Sequence, residues 1–257
     1  MEVAILTEPE CSVAVRPCIR RMEIVSHCYH YARLLRYHLS SFALWPPESL
    51  EIQVTICFAR EDVETVAVLD WFSQVKVPRV TWNWMELPVL ELCRRSIGRN
   101  RAALASRAEW VWFCDVDHWF TGECWRALAA MPSPDKKLIF PSHVNFHRWK
   151  GLGDARIQAA DAHEGLISAP VEEFEPVRMR RAIGGIQIVK GDVCREGGYL
   201  RTHSRWQQPS AVPEFQRCKE DTSFRRSLRA PGLGLEIPGV YRIRHSKAGR
   251  WEPSLRL

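Results

Sequence analysis

A chain of 257 residues, 46% hydrophobic and 26% charged, is long enough to bury one large α/β core and too apolar for a disordered segment. Its formal net charge of +6 favours anionic partners: nucleotides, acidic glycans or an anionic membrane surface touched from outside. No nucleic-acid module accompanies the arginine clusters, so nucleic acid is not an expected partner. No apolar run approaches the roughly 18–20 residues that cross a bilayer. The opening Met1-Glu2-Val3-Ala4-Ile5-Leu6 lacks the basic start and longer apolar stretch of a secretory signal. A cytoplasmic chain, at most peripheral to the inner face of a membrane, is the expectation. Nine scattered cysteines with no Cys-x-x-Cys pair predict reduced, mostly buried thiols.

Residues 1–20 are ambiguous. Met22–Ser26 reads as a short strand, followed by a helix over Tyr31–Leu44 with Leu34, Leu35, Leu39 and Phe42 at helical spacing; Trp45-Pro46-Pro47 ends it. Glu51–Ala59 is a strand, Glu61–Phe72 a helix and Val75–Trp82 a third strand. Pro88–Ala108 reads as helical with a break near Gly98, leading into a strand at Trp110–Cys114. This β-α-β-α-β-α-β order predicts a mostly parallel, Rossmann-like sheet flanked by helices. Farther on, Lys137–Phe140 and Ala182–Lys190 read as strands, Lys219–Leu228 as a short helix, and Gly239–Arg244 as a last strand ending in His245. His143–Glu173 mixes aromatics, glycines and charges, and is long enough for an acceptor loop or lid. No composition break marks a linker. One domain over residues 1–257 is expected, with a nucleotide-binding half (about 1–120) and an elaborated half (about 121–257).

Ligands of such sheets bind beyond the carboxyl ends of the strands. Asp115 and Asp117, in Trp112-Phe113-Cys114-Asp115-Val116-Asp117-His118, stand just past such an end. In an extended segment residues i and i+2 face one side, so both carboxylates would meet one divalent cation that also grips phosphates. The competing possibility is a turn whose aspartates cap backbone amides. Three features point the same way. Gly184-Gly185 opens a strand, where paired glycines form a simple bulge or permit a close backbone approach to a ligand. Glu220-Asp221 opens a helix, where a carboxylate either complements the dipole or serves as general base. His245 follows a strand among basic residues, where it suits a metal such as manganese or a diphosphate.

In this order the pieces resemble the GT-A glycosyltransferases. The Met22–Leu44 opening and the Arg99-Asn100 helix before Asp115-Val116-Asp117 look like the nucleotide-binding half of the family 2 transferases. Gly184-Gly185, Glu220-Asp221, Arg244-His245-Ser246 and Glu252-Pro253 look like the second half of the β-1,4-galactosyltransferase family. The resemblance implies a metal-dependent, inverting transferase moving a sugar from a nucleotide-sugar, UDP-linked with a lean to UDP-Gal or UDP-GalNAc, to a glycan or glycolipid hydroxyl. It implies Asp117 and His245 as metal ligands, with Mn2+ favoured over Mg2+, and Asp115 as support for the ribose or a metal-bound water. Asp221 would be the base, Arg99, Arg244 and Lys247 phosphate contacts, and Gly184 and Gly185 the border of the donor sugar. Two positions depart from the pattern. Arg60-Glu61-Asp62 replaces the acidic stretch usual after the second strand, and Arg242 stands where the galactosyltransferases carry a methionine metal ligand.

Sugar rings stack on aromatics, so Trp82, Trp84, Trp119, Trp125, Trp149 and Trp206 are acceptor-platform candidates. Two other classes compete: a nucleotide-sugar or glycan-binding protein that has lost catalysis, and a metal-dependent hydrolase or phosphoryl-transfer enzyme using Asp115, Asp117 and His118. A transferase of the proposed type needs Asp115, Asp117 and His245 to converge, with Asp221 across the donor sugar.

Overall fold

The structure is a computed structural model that describes residues 18–160, 165–215 and 219–245. Its first half alternates strand and helix: β1 (Arg21–His27), α1 (Ala32–Leu44), β2 (Glu51–Phe58), α2 (Val63–Ser73), β3 (Val80–Glu86), α3 (Val89–Leu92), α4 (Arg95–Ala105) and β4 (Trp110–Phe113). The second half adds β5 (His118–Phe120), α5 (Gly122–Ala130), β6 (Leu138–Pro141), β7 (His143–His147), α6 (Lys150–Ala159), β8 (Phe174–Arg178), β9 (Gln187–Lys190), α7 (Gly191–Gly197), α8 (Glu220–Ser227), β10 (Leu233–Leu235) and β11 (Val240–Arg242).

A seven-stranded sheet runs in the order β10-β6-β9-β4-β1-β2-β3. All its neighbours pair in parallel except those of β9, which runs against both β4 and β6. The expected mostly parallel sheet is therefore present. β1 is its central strand, pairing with β2 from Arg21↔Glu51 to His27↔Cys57 and with β4 from Met22↔Trp110 to Val25↔Phe113. Both faces of β1 are covered, which is why every residue after Arg21 is buried. A second sheet, β5-β11-β7-β8, has no counterpart in the sequence reading. The region expected to be an acceptor loop holds regular structure: β7 of this sheet and the helix α6 both fall inside His143–Glu173. None of the helices is long and apolar enough to cross a membrane among the described residues.

Two boundaries move for identifiable reasons. The third strand begins at Val80, not Val75, because Pro78 lacks a donor and Arg79 turns the chain at φ +61°. The helix break falls at Cys93–Arg94, not Gly98. Gly98 lies inside α4 and lets that helix approach β1. A Cβ there would run into His27 Nε2 and come within 2.9 Å of Cys57 Sγ. The described cysteines are all unpaired, and all but Cys18 are buried, as the absence of paired spacings suggested.

Between the sheet and α1 lies an aromatic cluster centred on Phe42, which is fully buried. Its ring stacks on Trp125 at 5.4 Å and meets Phe120 at 5.7 Å and Trp82 edge-on at 6.2 Å. Trp119 and Trp125, two acceptor-platform candidates, are core residues at 1% and 2% exposure. Trp206 is buried too, Trp82 and Trp84 stack on each other, and Trp149 stands out in solvent. Phe42→Ala should cost roughly 3–5 kcal/mol of stability, read as a lower midpoint in guanidinium unfolding with an unchanged slope.

Candidate active site

Asp115 and Asp117 sit where expected, beyond the carboxyl end of β4, but their local conformation differs from the extended one. Residues Asp115–His118 form a turn closed by the His118 amide donating to the Asp115 carbonyl at 3.1 Å. Both side chains nevertheless line one pocket, together with His27, Tyr31, Arg95 and His245. His245 thus reaches the aspartates across 128 positions of chain. The β5–β11 pairing brings it there: Arg242 stands opposite His118, and the Ile243 amide donates to the Asp117 carbonyl at 2.7 Å.

The aspartate side chains do not cap amides; they face cations. Asp115 Oδ1 accepts from Arg99 Nη2 at 3.2 Å. Burial works against its ionisation, but the guanidiniums of Arg95 and Arg99 outweigh it and hold the carboxyl below the usual range. Asp117 Oδ2 accepts from Arg242 Nε at 2.9 Å. His118 Nδ1 lies 2.8 Å from Asp117 Oδ1, although its hydrogen-bond direction runs to the Asp115 carbonyl at 3.2 Å. The contact with Oδ1 is therefore electrostatic. For Asp117 as well, burial opposes ionisation and the neighbouring Arg242, then His118, overcome it, leaving the carboxyl far below its ordinary value. Behind the turn, His38 Nδ1 donates to the His118 carbonyl at 2.7 Å, and burial lowers that imidazole to about 4.

Arg99 is 2% exposed, and both of its Nη nitrogens donate to protein groups while Nε has no partner. Nη1 donates to the Tyr199 hydroxyl at 3.0 Å and Nη2 to the Gly184 carbonyl at 3.1 Å as well as to Asp115. In place of a phosphate contact, it is a brace that ties α4, the β4 turn and the glycine pair together. The cation lining the pocket from α4 is Arg95.

Gly184 and Gly185 lie between the two groups of acids. A Cβ on Gly185 would stand 2.5 Å from His118 Cε1 and 3.2 Å from Asp115 Oδ2; one on Gly184 would stand 3.6 Å from Asp221 Oδ2. Any side chain at Gly185 would displace the turn, so glycine is required there. The Glu220-Asp221 pair divides its work. Glu220 is buried and accepts from the Ser96 amide at 3.1 Å, at the amino end of α4. Asp221 is partly exposed and faces Gly184, while its carbonyl accepts from Gln187 Nε2 at 3.0 Å. Asp62, in the stretch that departs from family 2, caps α2 and accepts from the His30 amide at 2.6 Å. Its carboxylate is a structural group. Arg244 is exposed, and Lys247 lies outside the described residues.

A divalent cation needs oxygen or imidazole donors turned toward one point. Among the described residues no three His, Cys, Asp or Glu side chains form such a group. Asp117 faces Arg242 and His118, and Asp115 Oδ1 faces Arg99. The expected Asp117–His245 ligand pair shares a pocket; Arg242 holds Asp117 Oδ2 and Arg99 holds Asp115 Oδ1, while Asp117 Oδ1 has no hydrogen-bond partner. A larger hollow lies at the opposite edge of the sheet, lined by Arg21, Glu23, Arg79 and Arg107. It sits at the amino ends of the parallel strands, away from the groups just described.

No protein-family model and no curated protein sequence matches the chain. Solved structures do. S. aureus TarS 1–349 in complex with UDP-GlcNAc superposes with a TM-score of 0.57 at 12% identity, over 88% of this chain and 59% of that one. The mannosyltransferase PcManGT from Pyrobaculum calidifontis, in complex with GDP-Man and Mn2+, gives 0.54 at 13% identity, over 90% of this chain and 59% of that one. The chain spans about 60% of the length of these proteins.

Because Asp115 and Asp117 have folded-state pKa values below those of an unfolded chain, the native site binds fewer protons than the unfolded chain. Their contribution to stability is complete above about pH 5 and declines as pH falls through 4 and below. Asp117→Asn should flatten that acid limb of the stability–pH curve, measured by thermal unfolding between pH 3 and 7. The likeness to these solved structures establishes that the chain shares the α/β fold of proteins that hold nucleotide sugars.

Proposed function

We propose that the protein is a glycosyltransferase that moves a sugar from a nucleotide-sugar donor to a hydroxyl acceptor with inversion. The observation that carries this reading is the glycine pair between two acidic groups: Asp115 lies on one side of Gly184-Gly185 and Asp221 on the other. A donor whose diphosphate lies in the pocket of Arg95, Asp115 and His245 would present its sugar over the glycines, where bare backbone allows close approach. Asp221 then acts as general base. It takes the acceptor hydroxyl proton as that oxygen bonds to the anomeric carbon, while the bond to the diphosphate oxygen breaks on the opposite face. An α-linked donor yields a β-linked product.

Arg99 positions Asp115 and the Gly184 carbonyl, so the donor side of the site is rigid before substrate arrives. Arg95 and the exposed Arg244 are the cations suited to the diphosphate, which they would bind by charge-assisted hydrogen bonds. UDP is favoured as the nucleotide, since the TarS structure holds UDP-GlcNAc; GDP is the next candidate, from the GDP-Man of PcManGT. Within the UDP-sugars, UDP-Gal and UDP-GalNAc come first on the Gly184-Gly185 and Glu220-Asp221 pattern. The acceptor is a glycan or glycolipid hydroxyl, and the net positive charge favours an acceptor at an anionic surface. No step is assigned to a metal ion, because one oxygen of each carboxylate that would bind one is held by an arginine.

Incubation with a panel of UDP- and GDP-sugars and candidate glycan acceptors should release nucleotide with one donor class. Asp221→Asn should lower that turnover roughly 100- to 10,000-fold with donor affinity nearly unchanged, as loss of a general base does. A variant that loses donor binding and turnover together would instead make Asp221 a binding group. Donor binding without transfer to any acceptor in the wild-type chain would favour a non-catalytic nucleotide-sugar-binding protein.

A further inference from the structure

We propose that Arg242 is a built-in cation of this site, neutralising Asp117 so that a nucleoside diphosphate enters the pocket without a divalent ion. The proposal rests on the nucleotide-sugar reading for its ligand, and on the second sheet for its geometry.

Arg242 Nε donates to Asp117 Oδ2 at 2.9 Å, a charge-assisted bond at full strength. The pairing is fixed by backbone, not by a flexible reach. Arg242 lies directly opposite His118 in the antiparallel β5–β11 pair, and the Ile243–Asp117 hydrogen bond closes the register one residue on. The guanidinium also stands over the Phe146 ring at 5.7 Å, which keeps its plane oriented. With its side chain only 28% exposed and that of Asp117 10% exposed, water screens the pair weakly.

The charge balance follows. Asp115 is matched by Arg99 and Asp117 by Arg242, so both carboxylates enter the pocket already neutralised. Arg95, whose charge already acts on Asp115, lines the same pocket as the two paired carboxylates. Without Arg242, Asp117 would stand uncompensated beside the anion, and a divalent ion would be needed between them. An ion taking the open Oδ1 of Asp117 would set its charge against the guanidinium already bonded to Oδ2. The site therefore prefers its own cation.

The test compares the wild-type chain with Arg242→Met, which removes the charge and keeps an apolar stem against Phe146. Free Mn2+ is followed by electron paramagnetic resonance as each protein is added, and UDP binding is measured by calorimetry in EDTA and in Mn2+. Wild-type protein should leave the free Mn2+ signal unchanged and bind UDP equally in both buffers. Arg242→Met should take up Mn2+, and its UDP affinity in EDTA should fall roughly ten- to hundredfold and recover with Mn2+. An ion pair of purely structural value would lower stability in the variant but create no metal dependence. Stoichiometric Mn2+ uptake by wild-type protein that Asp117→Asn abolishes would overturn the proposal, and needs no Arg242 variant to be seen. Undiminished UDP binding by Arg242→Met in EDTA would overturn it as well. Absence of UDP and GDP binding in both proteins under every condition would overturn the donor reading instead, while the Mn2+ titration still decides the role of Arg242.

Discussion

A single buried guanidinium organises the site. Arg99 leaves α4 and donates to three acceptors on separate parts of the chain: Tyr199 beyond α7, Asp115 beyond β4, and the Gly184 carbonyl ahead of β9. Its charge is 2% exposed, so the desolvation cost is large and is offset only because those partners are in place together. Phe113 and Tyr199 add ring faces at 6.0 and 5.3 Å. Losing the Asp115 carboxylate would leave the charge without its ion-pair partner at a cost of about 3–5 kcal/mol, which gives α4 and the β4 turn a reason to keep fixed relative positions. The glycines and the first aspartate are thus set by one side chain.

A second constraint acts from the other half of the chain. The short pairing of β5 with β11 brings Arg242 to Asp117 and His245 to the pocket that Asp117 lines. Each aspartate consequently answers to a different element: Asp115 to α4 through Arg99, Asp117 to the smaller sheet through Arg242. The two sheets meet at the Asp115–His118 turn, and charge pairing spans that junction.

Much of this was legible in the sequence because it is local. The β1–α1–β2–α2 alternation follows from apolar spacing, and the position of Asp115 and Asp117 follows from lying just past a buried strand. Gly184-Gly185, Asp221 and His245 stood out by residue type, and all of them come to the same region. What escaped was non-local. β5 is three residues long, too short for a period to register, and its pairing with β11, a strand the sequence does suggest, determines which side chain meets Asp117. Arg242 was visible only as a missing methionine, and its meaning depends on the register of that pair. Arg99 looked like a phosphate ligand because nothing in a linear pattern says that Tyr199 and Gly184 will be its acceptors. Arg95 belongs to no motif that would single it out. The extended Asp-x-Asp geometry also proved to be a turn, since the i to i+3 hydrogen bond has no compositional signature here.

The account centres on the carboxyl edge of the sheet, against the alternative that ligand enters the hollow lined by Arg21, Glu23, Arg79 and Arg107 at the amino edge. Hydrogen–deuterium exchange with and without saturating UDP separates the two. The account predicts added protection in the segments around His27–Tyr31, Arg95–Arg99 and Asp115–His118, with none at the amino ends of β1, β2 and β3. Protection confined to Arg21–Glu23, Glu51–Gln53 and Arg79–Thr81 would contradict it.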